Sequence, residues 1–131
     1  MQDKGFMTSV ADGIIKTDGK VIGGFGIYTL SNSKGDTVFR IEYHDNLYIN
    51  IYKTYYFKFD KLIYATLELQ DGSANMKCNY RKVEFYNNDN ILWTATNKEK
   101  SADKYFDKTN FLLQQDGLKF LADFKRNNNR R

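Results

Sequence analysis

The residues of this chain that could carry chemistry are few: one histidine, one cysteine, three glutamates placed on strands and a cluster of glycines. A nucleophilic thiol needs a base beside it, so Cys78 with His44 is the one formal candidate. His44, however, falls on the polar phase of its strand beside Asp45, and Cys78 lies between Met76 and Tyr80 on an apolar phase. That placement predicts a buried structural thiol. A single histidine also serves hydrolytic triads and zinc sites poorly. Paired carboxylates would suit glycoside hydrolysis, but Glu42, Glu68 and Glu84 each occupy a polar strand phase, as expected of a solvated or cross-strand ion-paired face. The run Gly23-Gly24-Phe25-Gly26 lacks the following helix and Lys-Ser/Thr ending of a phosphate loop. It reads instead as a strand that permits close packing or curvature. The expectation is a protein with no catalytic residue, no cofactor and no metal.

Aromatic residues interleaved with bases, in Lys53 to Phe59 and Tyr80 to Tyr86, are the kind of surface on which single-stranded nucleic acid stacks. Charge argues against that use. The 131 residues carry 20 Lys+Arg and 16 Asp+Glu, a formal +4, but Lys125, Arg126, Arg130 and Arg131 account for the whole surplus. The remainder is neutral, whereas neutralising phosphates requires a surplus of cations on the binding face. Nucleic acid is therefore not the expected partner.

The elements that must position these residues read as β-strands. Apolar and polar residues alternate from position 20 onward. Phe39, Ile41 and Tyr43 oppose Arg40, Glu42 and His44; Leu47, Ile49 and Ile51 oppose Tyr48, Asn50 and Tyr52; Tyr55, Phe57 and Phe59 oppose Tyr56, Lys58 and Asp60; Ile63, Ala65, Leu67 and Leu69 continue the core phase. Asp18-Gly19, Asp71-Gly72 and Asp116-Gly117 suit tight hairpin turns, with weaker turns at Asn32 to Gly35, His44 to Asn46 and Asn87 to Asn90. The apolar phase switches between Tyr80 and Val83, which predicts a bulge near Arg81-Lys82 or two short strands with a kink. Asn97 to Thr109 breaks the rhythm and reads as a loop, with Ser101 able to cap one helical turn. Asn110 to Gln115 and Leu118 to Lys125 then read as a last hairpin. The fold expectation is all-β: an antiparallel meander of roughly eight to ten strands, barrel-like or a two-sheet sandwich. It would form one domain over 1–125, followed by a disordered basic tail over 126–131.

Lys82 to Thr96, followed by Asn110-Phe-Leu-Leu-Gln-Gln-Asp-Gly117, resembles the repeat rhythm of bulb-type mannose-binding lectins over about a third of the chain. In that family a strand, an Asn-rich turn and a Leu-Trp strand precede a Leu-Gln-x-Asp-Gly strand. The resemblance implies a three-sided β-prism that binds mannose through a Gln-x-Asp-x-Asn-x-Val-x-Tyr pocket. Gln114 and Asp116 match its first two positions, while Leu118, Phe120 and Ala122 stand where Asn, Val and Tyr are expected. In the preceding repeat Cys78, Tyr80, Lys82 and Glu84 replace the polar set and only Tyr86 agrees.

The leading functional expectation is a non-enzymatic binding module with a protein partner or larger assembly. Its carriers are Tyr48, Tyr52, Tyr56, Tyr64 and Tyr86, which recur on phases opposite the aliphatic residues; tyrosines supply large contact area at little conformational cost. The alternatives are a lectin-like glycan-binding domain using Gln114 and Asp116 and a barrel carrying a small apolar ligand. No stretch approaches the ~20 apolar residues of a membrane-spanning helix. The Met1-Gln2 start fits an exported chain after signal-peptide removal and a cytoplasmic chain equally.

Overall fold

A computed structural model of the protein describes residues 5–47, 49–70, 78–88, 90–98 and 113–129. Seven strands form one antiparallel sheet in strict meander order: β1 (Phe6–Thr17), β2 (Lys20–Asn32), β3 (Val38–Asp45), β4 (Asn50–Lys58), β5 (Lys61–Gln70), β6 (Cys78–Asn87) and β7 (Asn90–Lys98). A single described helix, α1 (Leu113–Asn129), follows. The sheet is open. Among the described residues β1 pairs only with β2 and β7 only with β6. The expected barrel or sandwich is thus replaced by one sheet with a helix on one face. The alternation that produced the expectation specifies a sheet with one buried face and does not say what buries it.

The turns follow from local backbone preference. Asp18 and Gly19 both have positive φ (53° and 80°) between the paired Thr17 and Lys20, the two-residue hairpin that Asp-Gly favours. Phe59 and Asp60 make the same kind of turn (φ 50° and 63°) between Lys58 and Lys61. Phe59, expected on the core phase, therefore leaves the strand and is 82% exposed. The register slips at Tyr56/Phe57, so Leu62 is buried and Ile63 exposed, the reverse of the expected phase. The phase change expected between Tyr80 and Val83 is absent: the pairing runs without a break from Tyr80 to Phe85, with Tyr80, Glu84 and Tyr86 buried on one face, and the register slip lies earlier, opposite Leu69/Gln70, between Cys78 and Tyr80. The Asp71-Gly72 turn, the Asn110 to Gln115 strand's start and most of the 97–109 loop lie outside the described residues.

The largest correction is α1. Asp116-Gly117, expected as a hairpin turn, lies in its first turns, and Arg126 to Asn129, expected as a disordered tail, are its last. The reason is packing. Leu113 and Leu121 are buried, with Leu118, Phe120 and Phe124 packed against the core, a helical spacing that lays one stripe on the sheet. Gly117 sits directly on the Tyr55 ring, where a Cβ would come within 2.4 Å of Cδ1. Only glycine lets the helix approach that closely.

The helix covers the face made by Ile27, Thr29, Ile41, Ile51, Tyr55, Phe57, Ala65, Leu67 and Leu69. At its far end Lys125 reaches the Asp36 carbonyl and the Asp60 carboxylate, the latter at 2.8 Å. Asn128 donates to the carbonyls of Lys34 and Gly35 at 3.2 and 3.1 Å. Beside these contacts an Asn32 side-chain hydrogen bond holds Asp36 below the usual carboxylate range. Among the described residues no helix is long and apolar enough to cross a membrane.

Candidate interaction surface

The two faces of the sheet carry different chemistry, and the covered one is not purely apolar. Lys53 is 8% exposed in the middle of β4 and donates to the Asp116 carboxylate of α1 at 2.8 Å. Its ammonium also lies 5.4 Å from the centroid of the Tyr43 ring, and Tyr43 stacks on Phe120 at 5.2 Å. Tyr43 donates to Asp45 at 2.7 Å; burial first, and that acceptor second, push its phenol well above the ordinary range. On β6, Glu84 is 4% exposed. It pairs with Lys82 at 3.1 Å and accepts a hydrogen bond from Tyr86, whose phenol is raised by burial and then by that carboxylate. Lys53 and Asp116 thus tie the helix to the sheet, while Lys82, Glu84 and Tyr86 satisfy one another along β6. Among the described residues Tyr55 Oη is buried without a hydrogen-bond partner, and burial is the main cause of its strongly raised phenol pKa.

The uncovered face is organised in rows, because antiparallel registers align side chains across strands. Arg40, Tyr56, Tyr64, Phe85 and Trp93 make one row across β3 to β7. Glu42, Thr54, Thr66, Val83 and Ala95 make the next, and His44, Tyr52, Glu68, Arg81 and Asn97 the third. In the first row the rings touch in sequence: Tyr56 to Tyr64 at 5.5 Å, Tyr64 to Phe85 at 4.6 Å, Phe85 to Trp93 at 5.5 Å. Each such pair contributes about 0.5–1.5 kcal/mol beyond its area, so the row is held in place before anything binds. It nevertheless stays open: Tyr56 is 37%, Phe85 41% and Trp93 54% exposed. The middle row, free of aromatic rings, separates this aromatic wall from a polar one. In the polar wall His44 stacks on Tyr52 at 4.4 Å and Glu68 pairs with Arg81 at 3.4 Å.

Of the residues expected from sequence, Tyr52, Tyr56 and Tyr64 are brought together on this face. Tyr86 is not. It is 5% exposed on the helix-covered face, because no bulge interrupts β6 after Tyr80, so regular alternation from buried Tyr80 turns Glu84 and Tyr86 inward and Val83 and Phe85 outward. Glu84, expected on a solvated face, is buried for the same reason. Tyr48 lies outside the described residues. Gln114 and Asp116 sit on a helix rather than a strand, and Asp116 is committed to Lys53. Phe85 and Trp93, which sequence reasoning did not select, complete the row; strand alternation would have found them once the phase of β6 was known.

A second feature is a cleft of about 180 Å³ between α1 and the β1–β2 hairpin, lined by Val10, Ala11, Ile27, Phe120 and Phe124 among others. That is well below the ~300–1,000 Å³ of typical small-molecule sites. No protein-family model, curated protein or solved structure matches the chain.

Proposed function

We propose that this chain is a non-enzymatic interaction module that binds a protein partner across the uncovered face of β4 to β7. One observation carries the reading: the row Tyr56, Tyr64, Phe85 and Trp93 is mutually packed yet open to solvent. Aromatic anchors held in fixed rotamers bind without a large ordering cost, and large exposed apolar patches on a soluble domain mark interaction sites. The flanking charges form a polar rim, with Arg40 beside Glu42 and Arg81 beside Glu68. A protein surface suits this arrangement of apolar centre and paired rim.

Capture from a lysate with the wild-type chain and with Tyr56→Ala/Trp93→Ala tests the assignment. Proteins retained by the first and lost by the second support it; equal retention defeats it. A glycan array run with the same two proteins separates the lectin-like alternative, and native mass spectrometry detecting a bound small apolar mass would favour the carrier alternative.

A further inference from the structure

The turn between β4 and β5 breaks three local rules at once. A two-residue hairpin needs positive φ at both central positions, which Asn-Gly and Asp-Gly adopt readily. Here the first of them is Phe59, at φ 50°, and a bulky side chain in the left-handed region is disfavoured by its own Cβ. The ring gains nothing from the core in return, because it is 82% exposed. Beside it Lys58 and Lys61 stand directly opposite one another in the ladder, where like charges destabilise a strand pair. Neither forms an ion pair among the described residues. Asp60, the acid of the turn, is held by Lys125 of α1 at 2.8 Å. Lys125 also reaches the Asp36 carbonyl of the β2–β3 connection, where Lys34 offsets the Asp36 carboxylate. The surplus charge of the two lysines is therefore not cancelled by its surroundings.

Local rules are broken together where a site is built at the expense of the fold. We propose that this tip docks on an anionic lipid bilayer, with the Phe59 ring entering the interface and the Lys58 and Lys61 ammoniums at the level of the headgroups. The contact goes beyond the partner binding proposed above and does not depend on it. Shape selects a bilayer. The tip offers one ring among Lys58, Asp60 and Lys61, whereas a protein interface joins broad patches around an apolar core; a fluid interface receives a convex tip without a matching cavity. Charge selects anionic lipid, because a negative surface attracts basic residues within a Debye length. Lys58 already carries its ammonium 5.7 Å from the Phe59 ring centroid, the arrangement by which a lysine stem follows an apolar group while its charge stays in the polar layer.

Co-sedimentation of the full chain with vesicles of equimolar phosphatidylcholine and phosphatidylserine at low salt tests the docking. Wild type is expected to pellet with these vesicles and to stay in solution with phosphatidylcholine alone. Phe59→Asn is expected to weaken partitioning about tenfold or more, the factor that burial of one aromatic ring supplies. Its urea unfolding should show no loss of stability, because Asn tolerates positive φ. Lys58→Glu/Lys61→Glu is expected to abolish pelleting; should that variant not fold, Lys58→Gln/Lys61→Gln reads the same outcome. A wild type that ignores anionic vesicles overturns the inference, as does a Phe59→Asn chain that binds them equally well. A protein captured by wild type and lost by Phe59→Asn, without vesicle binding, would assign the tip to a protein partner instead.

Discussion

The covered and uncovered faces of one sheet spend the same residue types in opposite ways. On the covered face Tyr43 and Tyr86 give their hydroxyls to carboxylates, Lys53 gives its charge to Asp116, and Tyr55 carries Gly117 of the helix on its ring. On the uncovered face Tyr56 and Tyr64 use their rings against one another and leave area open to solvent. A tyrosine's use is therefore set by what the opposite layer supplies, and stability should concentrate on one face while binding concentrates on the other.

Substitutions on the covered face should break the fold first. Tyr55→Ala is expected to cost about 3–5 kcal/mol in urea unfolding, as removal of a fully buried aromatic does. Tyr55→Phe should cost nothing measurable, because the hydroxyl it removes has no partner among the described residues; a large loss would mean that an acceptor reaches it. Lys53→Met comes next, at about 3 kcal/mol, because it strands Asp116 without its cation. Asp116 is about one-third exposed, which keeps the loss at the low end, and Lys53→Met/Asp116→Leu should recover most of it. Gly117→Ala is smaller, at about 1 kcal/mol: overpacking against Tyr55 costs about 1–3 kcal/mol and the gain in helix propensity returns about 1 kcal/mol.

The uncovered face should behave in the opposite way. Tyr56→Ala and Trp93→Ala each remove a ring pair and some buried area and are expected to cost about 1–2 kcal/mol in the same urea assay while abolishing partner capture; a loss of ~3 kcal/mol or more would place the row among stabilising elements. The last test is silent at neutral pH. Tyr43, Tyr55 and Tyr86 hold their protons more tightly folded than unfolded. Above the ordinary phenol value of ~10 the unfolded chain then loses protons that the folded chain keeps, and stability falls as pH rises. Tyrosinate absorbance followed alongside circular dichroism should show these phenols ionising only with unfolding.

Much of the sheet was legible in the sequence. Alternation placed Tyr55, Phe57, Ala65, Leu67 and Leu69 on one phase and Tyr52, Tyr56 and Tyr64 on the other, and Asp18-Gly19 marked its turn, because strand period and turn φ preference are local properties. Phase across β6 was harder to read. A slip of one residue reverses every side chain after it, and the slip expected at Arg81-Lys82 lies instead before Tyr80, so alternation from Tyr80 puts Glu84 and Tyr86 inside and Phe85 outside. The helix was masked by Asp116-Gly117, whose local preference for a turn is outweighed by a stripe of Leu113, Leu118, Phe120, Leu121 and Phe124 with a sheet face to cover.

By itself the sequence determined that this chain forms antiparallel strands with one apolar face, that its basic surplus lies at the C-terminal end, and that Tyr52, Tyr56 and Tyr64 lie opposite the aliphatic core. Only the tertiary structure decided that a helix, not a second sheet, covers that face, and that Phe85 and Trp93 join Tyr56 and Tyr64 in one row. The reason is the range of the forces: dihedral preference and alternation act within a few residues, whereas register and layer choice depend on contacts such as Lys53 with Asp116, 63 residues apart in the chain.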